Sequence, residues 1–178
     1  PDPVPDELVR KVLDAGIRAP NGGNAQRWAF IVIKDKEMRR KIAERYRNVP
    51  VPPHPAGTTS QQRADESADY LTQHLAEVPV FILVCIRHDG SPSDIQRGAS
   101  IYPAVQNMLL AGRAQGVGGV LVTMFKIKEQ EFKDLLGIPE DVEPCALLPF
   151  GYPKGNFGPV TRMPWREVTF ADRWGTAP

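Results

Sequence analysis

Residues 98–125, GASIYPAVQNMLLAGRAQGVGGVLVTMF, constrain the fold more than any other part of the chain. Their apolar residues recur at the spacing of an α-helix: Ile101, Val105, Met108, Leu109 and the alanines at 99, 104, 111 and 114. Because these positions cover more than one stripe, we expect a long helix that is buried on two sides. Gly112 lets a neighbouring element approach closely, and Gly116 is suited to end the helix. Residues 120–123 then predict a short buried strand.

Four polar or reactive side chains lie inside apolar runs. Gln106 and Asn107 interrupt the long helix. We expect both to be satisfied core amides, and a functional role is the alternative. Cys85 and Cys145 are far apart in sequence and surrounded by apolar residues, which is typical of buried free thiols. This use of cysteine indicates a reducing compartment, for which we take the cytoplasm.

Composition restricts the class of protein. With 178 residues, 42% hydrophobic and 24% charged, the chain is typical of one soluble domain spanning residues 1–178. Its net charge of +1 argues against nucleic acid as a partner, and no apolar run reaches the ~18 residues of a membrane span. The histidines form no ligand-spaced cluster, so no metal site is predicted. The sequence also lacks a phosphate loop, a dinucleotide fingerprint and a nucleophile elbow.

The remaining elements alternate along the chain. The pattern predicts helices over residues 6–17, 36–46, 63–76 and 128–136, and strands over residues 29–34, 78–86 and 143–151. We expect Asp6 and Asp35 to cap the first two helices. The fold class is therefore α+β, with a mixed central sheet flanked by helices. Residues 48–62 are rich in proline and form an irregular segment, either a surface loop or a cover over an active site.

Three loops are candidates for a ligand site. Residues 19–28 contain the amides Asn21, Asn24 and Gln26, which donate and accept hydrogen bonds and suit the edge of a heteroaromatic ring. Residues 121–125 end the predicted buried strand, where backbone amides become available to a ligand. Residues 158–165 place Arg162 between apolar residues and prolines, and a fixed arginine suits a phosphate. Taken alone, residues 19–28 are equally consistent with an ordinary loop, and Arg162 alone is better explained as a surface arginine.

Together these stretches resemble the FMN-dependent nitroreductase family. The resemblance is carried by APNGGNAQRW with the strand AFIVIKD, by AVQNMLLAGRAQGVGG, by the late FGYP and by TRMPWREV near the C-terminus. It covers essentially the whole chain in the right order. It implies an α+β fold, an intertwined homodimer and FMN at the subunit interface. The aromatic tail, residues 154–178, would then cross to the partner subunit.

The resemblance also implies roles for individual residues. Pro20, Asn21, Gly22 and Asn24, with the neighbouring Gln26, match the loop that reaches the flavin from the partner subunit.

The resemblance also matches Val122, Thr123 and Met124 to the stretch whose backbone lies against the isoalloxazine. The Met124 amide would be directed at the nitrogen that accepts hydride. Arg162 matches a residue that grips the FMN phosphate, although Val160 stands where many relatives have a second basic residue. An arginine-rich motif of the family would precede Pro1, and we expect that this segment has been removed from the chain.

The implied activity is a two-step electron transfer. NADH or NADPH reduces FMN, and a nitroaromatic, quinone or related small molecule then takes the electrons in the same pocket. No side-chain acid or base is evident, so no catalytic residue is named. Relatives on this framework also dehalogenate aromatic rings, oxidise azolines or cleave the flavin. A non-catalytic FMN-binding protein and a helical scaffold without a ligand are the other hypotheses.

Overall fold

A computed structural model describes residues 2–50, 59–155, 158, 160 and 162–178, with residues 59–61 described as backbone. The helices are α1 Asp6–Gly16, α2 Lys36–Arg47, α3 Thr59–His74, α4 Ile95–Ala114 and α5 Glu129–Leu136. The strands are β1 Trp28–Ile33, β2 Val80–Arg87, β3 Gly118–Gly119 and β4 Val142–Gly151. Part of the irregular segment predicted at residues 48–62, together with His54, lies outside the described residues.

The four described strands form one sheet in the order β1-β2-β4-β3. Every pairing in it is antiparallel, so the mixed sheet expected from the sequence is wrong for the described strands. The sequence order was nevertheless informative, because β2 and β3 point the same way with α4 as the crossover between them. Strand β4 runs in the opposite direction and inserts between β2 and β3, so it is antiparallel to both neighbours.

Helices cover both faces of the sheet, as predicted. Consecutive side chains of β2 point to opposite faces of the sheet, and Ile82 and Val84 pack with α1 and α4 on one face. Phe81 and Leu83 point the other way and pack with α2 and α5. The α+β class predicted from the sequence is confirmed in this arrangement.

The glycines of the long helix and of β3 allow an aromatic ring to approach closely. A Cβ atom built on Gly112 would lie 2.6 Å from Cε1 of Phe150, and one built on Gly119 would lie 2.5 Å from the same atom. Phe150 itself is 2% exposed and belongs to β4. The close approach predicted at Gly112 is thus made by a side chain of the central strand, and any larger residue there would displace the ring.

Within this chain, α4 is buried on one side. Ile101, Val105 and Met108 are fully buried against the sheet and α1. On other positions of the helix, Ile95 is 88% exposed and Leu110 is 58% exposed. The burial on two sides that the sequence predicted is therefore not met by the described part of one chain.

The strand predicted at residues 120–123 is largely replaced by irregular chain. Val120 is 44% exposed, and a single bridge joins Val122 to Leu147 on β4. Alternate residues of β4 direct their backbone groups towards β3, and Leu147 exchanges both hydrogen bonds with Val122. Pro149 is the next residue on that side, and it has no N–H to donate to the opposing strand. The ladder is interrupted at that point for this reason.

Two smaller predictions at helix starts have different outcomes. Asp35 caps α2 as expected, since its side chain accepts a hydrogen bond of 2.7 Å from the Met38 amide. Asp6 is the first residue of α1 instead of its cap, and its carboxylate pairs with Lys34. Pro5 occupies the N-cap position of α1 and makes no side-chain capping bond.

Candidate functional site

The loop after α1 has an unusual backbone. Residues Gly22–Asn24 form a short 3₁₀ turn, with φ of 59° at Gly23, 53° at Asn24 and 51° at Gln26. The side-chain oxygen of Asn21 accepts a hydrogen bond of 2.9 Å from the Gln26 amide and closes the turn. Left-handed conformations at residues other than glycine are uncommon and cost about 1–3 kcal/mol each. An exposed loop held in this shape is typical of a site prepared for a ligand.

The two glycines of this loop have different surroundings. The Gly22 amide donates to the hydroxyl of Ser100 on α4 at 3.3 Å, and a Cβ there would lie 3.2 Å from that oxygen. Gly22 therefore fits against its own chain. A Cβ atom placed on Gly23 would meet no atom within 4 Å, so a flat ligand has room to approach this residue. Pro20 precedes the turn and is exposed.

The turn after β3 offers fewer free groups than the sequence suggested. The amide and carbonyl of Val122 are both bonded to Leu147, at 3.0 and 2.9 Å, so Val122 has no backbone group for a ligand. Met124 begins the 3₁₀ helix Met124–Lys128, and Thr123 precedes it. The first N–H groups of a helix lack an intrahelical acceptor, which leaves the Met124 amide as the candidate donor.

The three predicted loops do not converge on one cavity within the described chain. A cavity of about 330 Å³ includes Asn21 and Gly22, and Met124 and Arg162 are not among its lining residues. A groove of about 770 Å³ lies at the other end of the sheet. Its lining includes Val120 but not Met124 or Arg162. Arg162 is exposed in the C-terminal tail. The loop and the turn therefore present two separate half-sites.

These half-sites are compatible with a flavin mononucleotide. The open backbone at Gly23 leaves room for the face of a planar ring, and the Met124 amide, at the start of a helix, is a candidate donor to such a ring. The guanidinium of Arg162 matches the geometry of a phosphate. These features lie at different places in one chain, and neither of the two cavities described above brings them together.

A buried carboxylate supports the second half-site. The side chain of Glu143 on β4 is 9% exposed, and its Oε2 accepts from Arg97 at 2.8 Å. Its Oε1 accepts from Lys126 at 2.6 Å and from Ser93 at 2.8 Å. Burial raises the pKa of Glu143, but the hydrogen bonds from Lys126, Arg97 and Ser93 outweigh it and lower the pKa to about 2. Through Lys126, this charge holds the turn that carries Met124.

Sequence reasoning missed this cluster, although a signal was present. Glu143 is a charged residue at the start of the apolar run VEPCALLPF. A carboxylate in such a position needs partners, because burying an unpaired charge is costly.

The other polar residues of the core have structural roles. Asn107 donates to the carbonyl of Ala15 at 3.1 Å, which confirms the interpretation as a satisfied amide. Gln106 is exposed instead. Cys85 and Cys145 are buried free thiols, as predicted, and burial raises the pKa of each to about 12. Such thiols are unreactive.

Two kinds of feature are absent from the described part of the chain. No three or more of its histidine, cysteine, aspartate and glutamate side chains are grouped in a way that would hold a metal ion. None of the helices in the described ranges has the length and hydropathy needed to cross a membrane.

Comparison with known proteins places the fold and the family. The NADPH:FMN oxidoreductase of Vibrio harveyi, solved in complex with NAD⁺, matches with a TM-score of 0.76 at 19% identity, covering 99% of this chain and 72% of that one. This match shows the fold, which is nitroreductase-like.

Sequence comparison is consistent with that fold. A Methanothermobacter thermautotrophicus protein, provisionally named as an NADH dehydrogenase/NAD(P)H nitroreductase, is 32% identical over 161 residues, 87% of this chain and 70% of that protein. An iodotyrosine deiodinase of Thermotoga neapolitana is 28% identical over 174 residues, 93% of this chain and 85% of that protein. The model of the nitroreductase family matches residues 1–152. The chain belongs to the nitroreductase family and is an oxidoreductase.

The buried carboxylate makes stability depend on pH. The pKa of Glu143 is lowered from 4.5 to about 2, so its contribution is fully present above pH 4.5 and is lost as the pH falls towards 2. Glu143→Gln should lower the free energy of unfolding at pH 7 by about 3 kcal/mol, because Arg97 and Lys126 lose their buried partner. Denaturant unfolding at several pH values measures both effects.

Glu129→Gln is the matched control, because Glu129 also pairs with Lys126, at 3.1 Å, but is 31% exposed. Its effect should stay below about 1 kcal/mol. Equal losses for the two variants, or an unchanged acid transition in Glu143→Gln, would contradict the assigned role of Glu143.

Proposed function

We propose that this protein is an FMN-dependent oxidoreductase that uses NADH or NADPH to reduce nitroaromatic, quinone or related acceptors. The observation that carries the proposal is the exposed, strained loop at residues 20–26, with open space above Gly23. The half-buried turn at Thr123 and Met124 supports it, as does membership of the family. The relatives named above give NAD(P)H and FMN as the reactants of this chemistry.

The FMN site is proposed to form between two copies of the chain. Each chain has the loop and the turn as separate half-sites, and each exposes apolar surface that another copy can bury. On α4 this surface includes Ile95 and Leu110. In the tail, Trp174 is 90% exposed, Trp165 is 57% exposed, and Phe170 contacts Trp174 with ring centroids 4.6 Å apart. An intertwined homodimer, with residues 154–178 crossing to the partner, accounts for both surfaces.

The residues proposed to hold FMN come from these half-sites. From one subunit they are Pro20, Asn21, Gly22, Asn24 and Gln26, and from the other Val122, Thr123, Met124 and Arg162. In the first set, Asn24 and Gln26 keep exposed side-chain amides for the ring edge, while the Asn21 oxygen is engaged within the loop. In the second set, the side chain of Val122 is buried and its backbone is bonded to Leu147, so its proposed role is to position Thr123 and Met124.

When bound, FMN would supply the two-electron redox chemistry between the donor and the acceptor. The protein residues bind and orient. The Met124 amide would donate a hydrogen bond to the ring system and would favour negative charge there by its fixed dipole. The Arg162 guanidinium pairs with the phosphate. No described side chain is assigned as a proton donor, and the proposal names no catalytic residue.

The deiodinase similarity favours one alternative reaction. Thermotoga neapolitana iodotyrosine deiodinase matches most of this chain, so reductive dehalogenation of an aromatic ring on the same flavin framework is the second candidate. Azoline oxidation, flavin cleavage and FMN binding without turnover have weaker support. A scaffold without a ligand does not explain the strained loop.

The first test addresses the subunit contact. Leu110→Glu should shift sedimentation towards a monomer and release FMN, because it places a charge in the apolar surface of α4 that the second copy buries. Gln73→Glu, at an exposed position of α3, is the control for one added negative charge. A wild-type chain that sediments as a monomer at micromolar concentration while holding FMN would refute the shared site.

The second test addresses the phosphate. Arg162→Ala should weaken FMN binding by roughly 2–4 kcal/mol, because a charge-assisted pair with a dianion is lost. Riboflavin, which has no phosphate, should bind almost as before. Arg166→Ala is the matched control, because Arg166 belongs to the same tail and lies over the Trp165 ring at 4.6 Å. Equal losses for both flavins would assign Arg162 to the fold.

The third test addresses the reaction. FMN-loaded enzyme should oxidise NAD(P)H with a nitroaromatic or quinone acceptor, and double-reciprocal plots at several acceptor concentrations should be parallel. Donor and acceptor use one pocket in turn, so no ternary complex forms. Intersecting lines would contradict this order. Negligible reduction by NAD(P)H, with fast reaction of the reduced protein with oxygen, would favour flavin cleavage, and no turnover in either step would favour a binder.

A further inference from the structure

The cavity of about 330 Å³ beside the strained loop shares Asn21 and Gly22 with the proposed FMN half-site, and the rest of its polar lining has no role there. Asn21 and Gly22 form one wall, and the turn that joins β2 to α4 forms the other. Its size suits a small molecule, and its position places that molecule next to the loop proposed to contact the flavin. The lining therefore indicates which small molecules the site admits.

Three arginines line this cavity, and two of them are engaged. Arg97 donates to Glu143 at 2.8 Å and to the Ser91 hydroxyl at 2.7 Å. Arg87 lies 3.7 Å from Asp141. Arg27 follows the strained loop directly and is exposed, and among the described residues no hydrogen bond or salt bridge to its guanidinium is found.

The carboxylates of the cavity are occupied by backbone amides. Asp94 accepts from the Arg97 amide at 2.7 Å and caps α4. Asp89 accepts from the Ser91 amide at 3.1 Å, and hydrogen bonds from Ser91 lower its pKa to about 2, with a smaller contribution from the charge of Arg27. Neither carboxylate is hydrogen-bonded to Arg27, so the guanidinium of Arg27 keeps its donors for a ligand.

His88 adds a second donor. Its Nδ1 accepts a hydrogen bond of 3.1 Å from the Gly90 amide. In the neutral ring this places the proton on Nε2, which can donate to a ligand. His88 is half-buried and lines the same cavity as Arg27.

We propose that this cavity binds the oxyanion of a substrate, with Arg27 as the residue that selects for it and His88 as a second donor. The inference rests on the proposed function, because it names the substrate class of that oxidoreductase. A planar carboxylate fits the two parallel donors of a guanidinium, so the preferred acceptor is an aromatic carboxylic acid that carries the reducible group. The phosphate of NADPH presents the same chemistry and is the other source of the oxyanion.

The test compares charged and neutral reactants with the FMN-loaded protein. The acceptors are 4-nitrobenzoate and 4-nitrobenzyl alcohol, and the donors are NADPH and NADH. Arg27→Gln should raise the KM for 4-nitrobenzoate about tenfold and leave the KM for the alcohol unchanged, because one charge-assisted pair is lost. The KM of Arg27→Lys for 4-nitrobenzoate should lie between those of the wild-type protein and Arg27→Gln, since lysine keeps the charge and loses the planar fork.

Arg18→Gln is the matched control. Arg18 lies just before the same loop, is exposed and does not line the cavity, so this variant makes the same change in net charge. A rise in KM confined to NADPH would retain the oxyanion site and assign it to the donor. Equal effects on charged and neutral reactants, or equal effects of Arg18→Gln and Arg27→Gln, would overturn the proposal.

Direct binding separates this proposal from the activity. Calorimetry with 4-nitrobenzoate should show binding that Arg27→Gln weakens about tenfold, whether or not the compound is reduced. Binding without turnover of either nitro compound would refute the proposed oxidoreductase and keep the oxyanion site. Turnover of both compounds with no dependence on Arg27 would support the proposed oxidoreductase and refute the oxyanion site.

Discussion

The packing of Phe150 between Gly112 and Gly119 fixes the spacing on which the site depends. The ring occupies the space that a Cβ atom would take at either glycine, so α4, β3 and β4 meet at a distance that larger residues would prevent. Cores are packed densely, and a ring held on two sides transmits that spacing to its neighbours. The short strand β3 thereby enters the sheet beside β4, and the chain that follows starts from a fixed position.

From that point, a break in the sheet and a buried charge together produce the turn at Met124. Pro149 cannot donate to the opposing strand, so pairing stops after β3 and resumes at Val122 for one bridge. Lys126, in the middle of the 3₁₀ helix, then binds Glu143 and anchors that helix. The Met124 amide is held between these two attachments. In the proposed FMN site, a donor fixed in this way would require little reorganisation when charge develops on the flavin, which is the general basis of electrostatic catalysis.

Much of this fold was predictable from the sequence, and the failures have physical causes. The long helix, the cap at Asp35, the α+β class and the buried thiols follow from local patterns, which depend on few neighbours. The antiparallel insertion of β4 and the loss of the strand at residues 120–123 depend on pairing between distant segments, which periodicity does not report. The Glu143 cluster was missed for the same reason, since its partners come from α4 and from the turn before α5. In the candidate site, the positive φ angles at Asn24 and Gln26 could not be read from residue type.

The unmet expectation of a helix buried on two sides also bears on assembly. The sequence predicts a helix buried on two sides, and α4 instead leaves Leu110 exposed, as the aromatic tail is exposed as well. If a second copy covers these surfaces, the half-sites for FMN are completed by the same event. Ligand binding and association are then thermodynamically linked, because FMN binds the dimer and stabilises it by mass action. Cofactor affinity in such a protein depends on protomer concentration, so a contact far from the flavin can change the affinity as much as a residue that touches it.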